Sequence, residues 1–190
     1  QKFKSISERI ETLNLEILIE NIKKENVPRS LQLLNKTNQM NLSTRRLNEQ
    51  EFKNWINKDS NRLWTVRAKD KFGDYGIIGI ISISIKNRSA SLIDFILSCR
   101  IVGRYIEETI IKFLKEFCID NDIDEINGEY KKTEKNSLCY QFLKKLNIVD
   151  GNKSSFVIYA KENNINLPNI NVIKPSYKEK VNASKDILAE

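Results

Sequence analysis

The spacing of apolar residues changes along this chain, and each change marks an expected helix or strand. Apolar residues that alternate with polar ones predict a strand, and apolar residues three or four positions apart predict a helix. Helices are expected at residues 3–13, 26–34, 48–56, 106–117 and 136–146. Strands are expected at residues 15–20, 64–68, 77–85, 90–99, 125–130 and 155–160.

Local signals support the boundaries of these elements. Pro28 in the first turn after Asn26, and the capping box of Asn48 with Glu51, are typical of helix starts. The glycine-bearing turn at 72–76 separates two strands that can then pair as a hairpin. After the leading helix the order is β-α-α-β-β-β-α-β-α-β. We therefore expect an α/β (α+β) fold with a central mixed, mostly antiparallel sheet flanked by about four helices.

The most informative stretch is residues 93–111, a strand that runs into a basic turn and then a helix. Arg100, Gly103 and Arg104 form the turn, and helical spacing begins at Ile106. The free amides at a helix start and the positive end of its dipole favour an anion such as a pyrophosphate. Arginine can also hold phosphate oxygens bidentately. The alternative is an ordinary strand-to-helix turn with two solvated arginines.

The element order, with such a turn after the fourth strand, resembles the GNAT acyltransferase superfamily over about residues 15–160. In that superfamily an Arg/Gln-x-x-Gly-x-Gly/Ala loop holds the pyrophosphate of acetyl-CoA. Residues 100–105 fit the first five positions, and Tyr105 stands where the loop has a small residue. The resemblance implies that the cofactor is acetyl-CoA, another acyl-CoA or the phosphopantetheine of a carrier protein. The residues it assigns to this cofactor are Phe95, Leu97, Arg100, Ile101, Val102, Gly103, Arg104, Tyr105 and Asn136.

Four local patterns, at residues 31–46, 72–76, 97–100 and 128–130, resemble the C-terminal GNAT-like domain of FkbH-like proteins. In that family a HAD-superfamily domain precedes the module and loads a three-carbon glyceryl unit onto an acyl carrier protein. The resemblance implies an upstream HAD-like domain and an acyl carrier protein as partners. We expect a linker helix from a probable upstream domain at 1–14 and a GNAT-like domain at 15–160. The composition then shifts to Asn, Lys and Pro with little periodicity, so residues 161–190 are expected to form an extended arm or tail.

The chain contains no histidine, which limits its catalytic chemistry. Ser-His and Cys-His nucleophile pairs are excluded within it, so a base must be a carboxylate, tyrosine, lysine or water. Asp94, in the fourth strand beside the expected cleft, is the first candidate, and Glu129 is the second. The alternative for Asp94 is a solvated position at a sheet edge. Cys99 beside Arg100 is a further candidate as a stabilised thiolate, or else an ordinary buried cysteine.

A tyrosine is the expected general acid, because many GNAT enzymes use a tyrosine of the fourth helix to protonate the departing thiolate. The frame that begins at Asn136 and continues through Phe142 matches that helix, but Leu143 stands at the tyrosine position. Tyr140 lies one helical turn earlier on the same face and is the candidate substitute, and the alternative is that the general acid is absent.

A dense polar run follows the first helix of the domain, where GNAT folds place the acceptor-side wall of the cleft. Its amides, hydroxyls and guanidiniums suit a small polar acceptor with hydroxyl or carboxyl groups. The candidate residues are Asn35, Thr37, Asn38, Gln39, Asn41, Thr44, Arg45 and Arg46. The alternative is a loop whose side chains cap helices and satisfy backbone groups.

The resemblance leaves two function classes open, and the composition does not decide between them. The net charge of +7 is spread along the chain without an aromatic-interleaved basic stripe, so no nucleic-acid partner is expected, whereas an anionic ligand or acidic carrier protein fits. No metal site, signal peptide or membrane span is expected, and we expect a cytoplasmic protein. One class is an acyltransferase acting on a small polar acceptor. The other is a non-catalytic module that docks a carrier protein.

Overall fold

Strands form the centre of the molecule, and helices cover both sides of them. The computed structural model describes residues 6–150, 153–162 and 165–176. The helices are α1 (Ile6–Glu11), α2 (Val27–Lys36), α3 (Glu49–Ile56), α4 (Ile106–Asp120) and α5 (Ser137–Lys145). The strands are β1 (Glu16–Asn21), β2 (Met40–Asn41), β3 (Asn61–Asp70), β4 (Gly73–Lys86), β5 (Ser89–Leu97), β6 (Glu125–Glu129), β7 (Ser155–Tyr159) and β8 (Asn171–Ile173).

The strands form one sheet in the order β7-β6-β5-β4-β3-β1-β8, and β2 is attached to the end of β5. The pairs β1–β3, β3–β4, β4–β5, β2–β5 and β6–β7 are antiparallel, whereas β5–β6 and β1–β8 are parallel. The expected mixed, mostly antiparallel sheet is therefore confirmed. Short turns join the antiparallel β3, β4 and β5, and α4 supplies the crossover that the parallel β5–β6 pair needs.

Two hydrophobic cores lie on opposite faces of the sheet. On one face α4 and α5 cover the larger core, where Trp64 packs edge-on against Phe113 and Phe95 stacks on Phe142. On the other face α2 and α3 cover a smaller core that contains Ile96 of β5. Because side chains alternate along a strand, neighbouring residues of β5 serve different cores.

The helix starts follow the sequence signals. Asn48 accepts a hydrogen bond from the Glu51 N–H, and the Glu51 carboxylate accepts one from the Asn48 N–H, so the capping box of α3 is present. Pro28 lies in the first turn of α2, where its missing N–H removes no helical hydrogen bond. These boundaries are confirmed.

Parts of the expected linker and of the expected arm pack into the hydrophobic core or pair with the sheet. Ile10 of α1 and Ile165 are buried in the larger core, and Leu167 packs against it. β8 extends the sheet by pairing with β1, with Val172 opposite Ile17. Residues 165–173 of the expected arm therefore pack against the domain, although their few apolar residues show no regular period in the sequence. Residues 1–5 and 177–190 lie outside the described part.

Within that part of the chain, no helix is both long and apolar enough to cross a membrane.

Candidate functional site

The parallel strands β5 and β6 diverge, and the space between them is the expected cleft. Their pairing ends at Leu92 opposite Gly128, while β5 continues to Leu97. Beyond that point β5 pairs with β2, which places Met40 opposite Leu97. The wedge between the diverging strands is therefore occupied by the chain itself.

Residues 40–42, here called the bridging segment, span the wedge from β5 to the chain that follows β6. The Leu42 N–H donates to the Phe95 carbonyl at 3.2 Å, and the Leu42 carbonyl accepts from the Lys131 N–H at 3.1 Å. Met40, Asn41 and Leu42 are each fully buried. The backbone groups that edge the wedge are thus satisfied internally.

Asn136 fixes the bridging segment from the α5 side. Its amide nitrogen donates to the Asn41 and Lys131 carbonyls, at 3.1 and 2.8 Å. Its side-chain oxygen accepts from the Tyr130 hydroxyl and the Thr133 N–H, both at 2.8 Å. A carboxamide has two donors and room for two acceptor bonds, so this buried side chain is saturated. The predicted cofactor role of Asn136 does not agree with this arrangement, because no group remains for a ligand.

The turn before α4 is also satisfied from within. The Gly103 N–H, predicted to face a phosphate, donates to the Glu107 carboxylate at 2.8 Å. Glu107 lies in the first turn of α4 and is 3% exposed, and its second carboxylate oxygen is buried without a hydrogen-bond partner. Burial raises the pKa of Glu107, while hydrogen bonds from the backbone oppose the rise. Glu107 therefore stands where the sequence predicted an anionic ligand.

The basic and bulky residues of the turn have other partners. Arg104 donates to the buried Asp70 carboxylate at 2.8 Å and lies over the ring of Tyr75 at 5.2 Å. Arg100 is exposed and has a 3.4 Å contact with the Ser98 hydroxyl. Among the described residues, Arg104 therefore has a carboxylate partner, whereas Arg100 has none.

Other residues assigned to the cofactor are part of the core or of the turn's backbone. Ile101, Phe95 and Leu97 are buried, and Val102 packs against the same core. Tyr105 has a φ of 61°, and its ring lies 5.7 Å from the Lys145 ammonium. A left-handed backbone and a large ring replace the small residue of the GNAT loop.

CoA does not fit the site that the resemblance implies. A pyrophosphate at the turn would meet the Glu107 carboxylate, which already holds the Gly103 amide. Like charges at such a short range repel strongly when one of them is buried. Arg104, the expected counter-charge, is neutralised by Asp70. The groups that would hold CoA are present in sequence but are used by the protein itself.

Asp94 is locked in an ion pair on the sheet face covered by α2 and α3. Its fully buried carboxylate accepts from Arg45 Nε at 2.9 Å and Nη2 at 2.5 Å. The Ser43 and Ser82 hydroxyls also donate to it. The Arg45 guanidinium lies 4.6 Å from the centre of the Trp55 ring. The predicted roles of Asp94 as base and Arg45 as acceptor clamp therefore conflict with the structure, since each group has the other as its partner.

The other catalytic candidates are not brought together with Asp94. Tyr140 packs against the larger core on the opposite face, with its ring centre 5.2 Å from that of Tyr130. Cys99 is exposed at the end of β5, as its predicted position requires. Burial raises the pKa of Cys118 and of Cys139 to about 12, so both are protonated thiols at neutral pH.

The polar run after α2 forms one segment, as predicted, but its side chains mainly hold that segment in place. Asn35 donates to the Leu47 carbonyl at 2.8 Å and accepts from the Leu47 N–H at 3.1 Å. Arg46 donates to the Leu34 carbonyl and to the Asn38 side chain, both at 2.8 Å. These contacts close the carboxyl end of α2.

The middle of this run is a tight turn. Asn41 donates to the Thr37 carbonyl and accepts from the Thr44 N–H, and Thr44 has a φ of 54°. Gln39 is exposed. The alternative of a self-capping loop thus accounts for most of these residues, and the acceptor site stays a prediction for Gln39 and Asn38.

A cavity that the sequence did not predict lies beside the amino end of α5. It encloses about 530 Å³ and is lined by Tyr130, Lys132, Thr133, Ser137, Tyr140, Lys153 and Ser154. Of these, only Tyr140 was a candidate. The lysines and hydroxyls on either side of α5 were visible in the sequence, but only the β6–β7 pairing brings residues 153–154 to the loop after β6. Glu107 was also missed, although two adjacent glutamates after a phosphate-type turn are a recognisable signal.

Comparison with known proteins identifies the fold. No protein-family model matches the chain, and no curated protein matches its sequence. A domain from Methanocaldococcus jannaschii aligns with a TM-score of 0.57 and 12% identity, over 76% of this chain and 97% of that one. Spermidine N-acetyltransferase from Vibrio cholerae in complex with CoA and spermine aligns with a TM-score of 0.55 and 12% identity, over 76% and 95%.

An acetyltransferase of the GNAT family from Staphylococcus aureus aligns with a TM-score of 0.54 and 11% identity, over 76% of this chain and 99% of that one. These structures share the sheet and helices described above, so the chain has the GNAT acetyltransferase fold. At such low identity the likeness concerns the fold alone, and function has to be argued from the site itself.

Proposed function

We propose that this chain is a non-catalytic GNAT-fold module that docks an acyl carrier protein, in support of a HAD-like domain upstream in the full-length protein. The observation that carries the proposal is the Gly103–Glu107 hydrogen bond, in which a carboxylate accepts from the amide that was predicted to face a phosphate. CoA needs a place for its pyrophosphate. The pantetheine arm of a carrier protein has a single phosphodiester, and protein–protein contacts position it.

The placement of the catalytic candidates supports a module without its own chemistry. A general base and a general acid must both reach the reacting atoms, within hydrogen-bonding distance or through one water. Asp94 and Tyr140 lie on opposite faces of the sheet, and the bridging segment fills the wedge between β5 and β6. Leu143, at the family's tyrosine position, is buried.

Charge supports a carrier protein as partner. Lysines cluster on the exposed loops that flank α5, namely Lys131, Lys132, Lys135 and Lys153. The chain as a whole carries +7. Acyl carrier proteins are acidic, and complementary charge accelerates and orients such encounters.

A second candidate function is acyl transfer from the carrier to a small polar acceptor. It is favoured by Tyr140, which lines the cavity beside α5 and lies on the helix that carries the general acid in GNAT enzymes. In this case the base is water or an unshared carboxylate, since Asp94 is occupied by Arg45.

Two measurements on the purified chain separate these functions. Fluorescence anisotropy gives its affinity for an acyl carrier protein with and without phosphopantetheine, and a thiol assay follows acyl-thioester consumption with a panel of amines and hydroxy acids. The proposal expects carrier binding without acceptor-dependent consumption. Turnover above the uncatalysed rate would establish the acyltransferase instead, and a wild-type chain that binds no carrier would overturn both.

A further inference from the structure

The cavity beside α5 has the features of a ligand site and is separate from the turn predicted to hold a cofactor. Its volume of about 530 Å³ falls within the range of small-molecule sites, roughly 300–1,000 Å³. We propose that it receives the phosphopantetheine arm of the carrier protein, with the phosphodiester between Lys132 and Lys153. This inference rests on the proposed docking function and names the site that serves it.

The lining of the cavity contains both aromatic and basic residues. The rings of Tyr130 and Tyr140, whose centres are 5.2 Å apart, supply an apolar wall. Lys132 and Lys153 are exposed residues of the rim and present two ammonium groups. The described lining residues include no acid, although Glu129 and Glu134 are exposed nearby along the chain. A ligand with an extended, partly apolar body and one anionic end matches this distribution.

Hydroxyl groups match the remaining chemistry of the arm. Thr133, Ser137 and Ser154 also line the cavity. A hydroxyl can donate and accept, as an amide of unknown orientation requires. The pantetheine arm carries two amides between its phosphate and its thiol, and these hydroxyls can serve as hydrogen-bond partners for them.

The cavity wall is preorganised. Asn136 accepts from the Thr133 N–H and the Tyr130 hydroxyl, which ties the loop after β6 to the start of α5. The Tyr130 N–H donates to the Ser154 carbonyl at 2.8 Å, which joins the chain after β6 to the residue before β7. A wall held in place before binding lowers the entropic cost of binding. The saturated bonds of Asn136 thus have a consequence for function although the residue itself contacts no ligand.

The carrier protein is the chosen source of the arm because the lysines continue beyond the cavity. Lys131 and Lys135 lie on the same loop as Lys132, outside the cavity lining, and are exposed. A free phosphopantetheine has no further charge to meet them, whereas an acidic protein surface does.

Charge reversal and filling of the cavity test the inference. The affinities of the carrier protein with and without phosphopantetheine are measured for wild type, Lys132→Glu/Lys153→Glu and Ser137→Trp. The matched controls are Lys36→Glu/Lys58→Glu, two exposed lysines on the side of the molecule covered by α2 and α3, and Gln141→Trp on the exposed surface of α5. Thermal melting verifies that every variant is folded.

Wild type is expected to bind the phosphopantetheinylated carrier more tightly than the bare carrier. Loss of both lysines should weaken the former at least about tenfold. Ser137→Trp should abolish the difference between the two carriers, and the controls should keep it. If Ser137→Trp retains the full preference, the arm does not enter the cavity and this inference fails while docking stands. If wild type binds neither carrier, the proposed function itself fails.

Discussion

At the scale of residues, groups that were predicted to bind a ligand are bonded to other groups of the protein. The Glu107 carboxylate accepts a hydrogen bond from the Gly103 amide, which was predicted to bind a phosphate. The Asp94 carboxylate forms an ion pair with Arg45, which was predicted to bind an acceptor. Gly103, Asp94 and Arg45 were all predicted site residues, whereas Glu107 was not. Residue types and spacing therefore predicted where the polar groups meet, but not that they satisfy one another.

Glu107 should make stability depend on pH. Burial raises the pKa of Glu107 above its ordinary 4.5, so the folded state binds the carboxyl proton more tightly than the unfolded state does. The stability it contributes is complete below that ordinary value and is lost as pH rises through the raised one. Glu107→Gln removes this loss, so its melting temperature should exceed that of wild type by a margin that grows from pH 4 to pH 7. Differential scanning fluorimetry measures the margin, and exposed Glu134→Gln is the control. A margin independent of pH would contradict the assignment.

The Arg45–Asp94 pair should be a major structural element. Arg45→Ala leaves a fully buried carboxylate with only hydroxyl donors, which typically costs about 3–5 kcal/mol. Urea unfolding should show this loss, and adding Asp94→Ala should restore part of it. Arg88→Ala, which breaks the exposed pair with Asp124, should cost far less, because solvent and salt screen an exposed pair. Equal losses in the two single variants would show that Asp94 is not the buried partner of Arg45.

At the scale of elements, the long periodic segments were predictable and the short ones were not. β3 to β7 and α2 to α5 follow clear alternation, helical spacing or capping signals. β2 has two residues and β8 has three, so neither is long enough to show a period. Their positions depend on which strand edges are vacant. The bridging segment, which decides what the cleft can hold, was therefore outside the reach of pattern analysis.

Gly128 should be required for the β6–β7 pair. A Cβ atom there would lie 2.2 Å from the Phe156 ring, which crosses directly over the glycine. Gly128→Ala should therefore destabilise the fold by about 1–3 kcal/mol, the usual cost of overpacking. Chemical denaturation measures the loss. The double variant Gly128→Ala/Phe156→Leu should recover part of it, and a neutral Gly128→Ala would show that Phe156 can move aside freely.

β8 and the residues before it should contribute to stability. A chain that ends after Glu162 loses buried Ile165, the packing of Leu167 and Ile170, and the strand paired with β1. Burial of one aliphatic side chain is worth about 1.5–3 kcal/mol, so a loss on the order of 3 kcal/mol is expected. Thermal and urea unfolding measure it. Ile165→Ala should reproduce part of the loss and Ile173→Ala, 46% exposed, little of it; an unchanged melt of the shortened chain would contradict the packing.

At the scale of the whole molecule, the fold of an acetyltransferase is kept while its cofactor turn is used internally. The order of elements was enough to predict that fold from sequence. The use of the turn was not, because it depends on the rotamer of Glu107 and on the reach of Arg104 to Asp70. The cavity beside α5 likewise depends on tertiary pairing. The proposed function therefore rests on the cavity beside α5 and on the exposed lysines next to it.

The most direct test is the affinity of the chain for CoA compared with pantetheine 4′-phosphate, which has the same arm without the pyrophosphate and nucleoside. Isothermal titration with wild type, Glu107→Ala and the control Glu108→Ala measures both ligands. Glu108 pairs with Lys145 and not with Gly103, so it matches the charge change alone.

Wild type is expected to bind CoA no more tightly than pantetheine 4′-phosphate. Glu107→Ala should bind CoA at least about tenfold more tightly than wild type, because a freed amide and the loss of a carboxylate each favour the pyrophosphate. Glu108→Ala should resemble wild type. The contradicting result is a wild-type chain that binds CoA about tenfold more tightly than pantetheine 4′-phosphate, with no gain in Glu107→Ala. It would show that Glu107 does not keep the CoA pyrophosphate from the turn before α4.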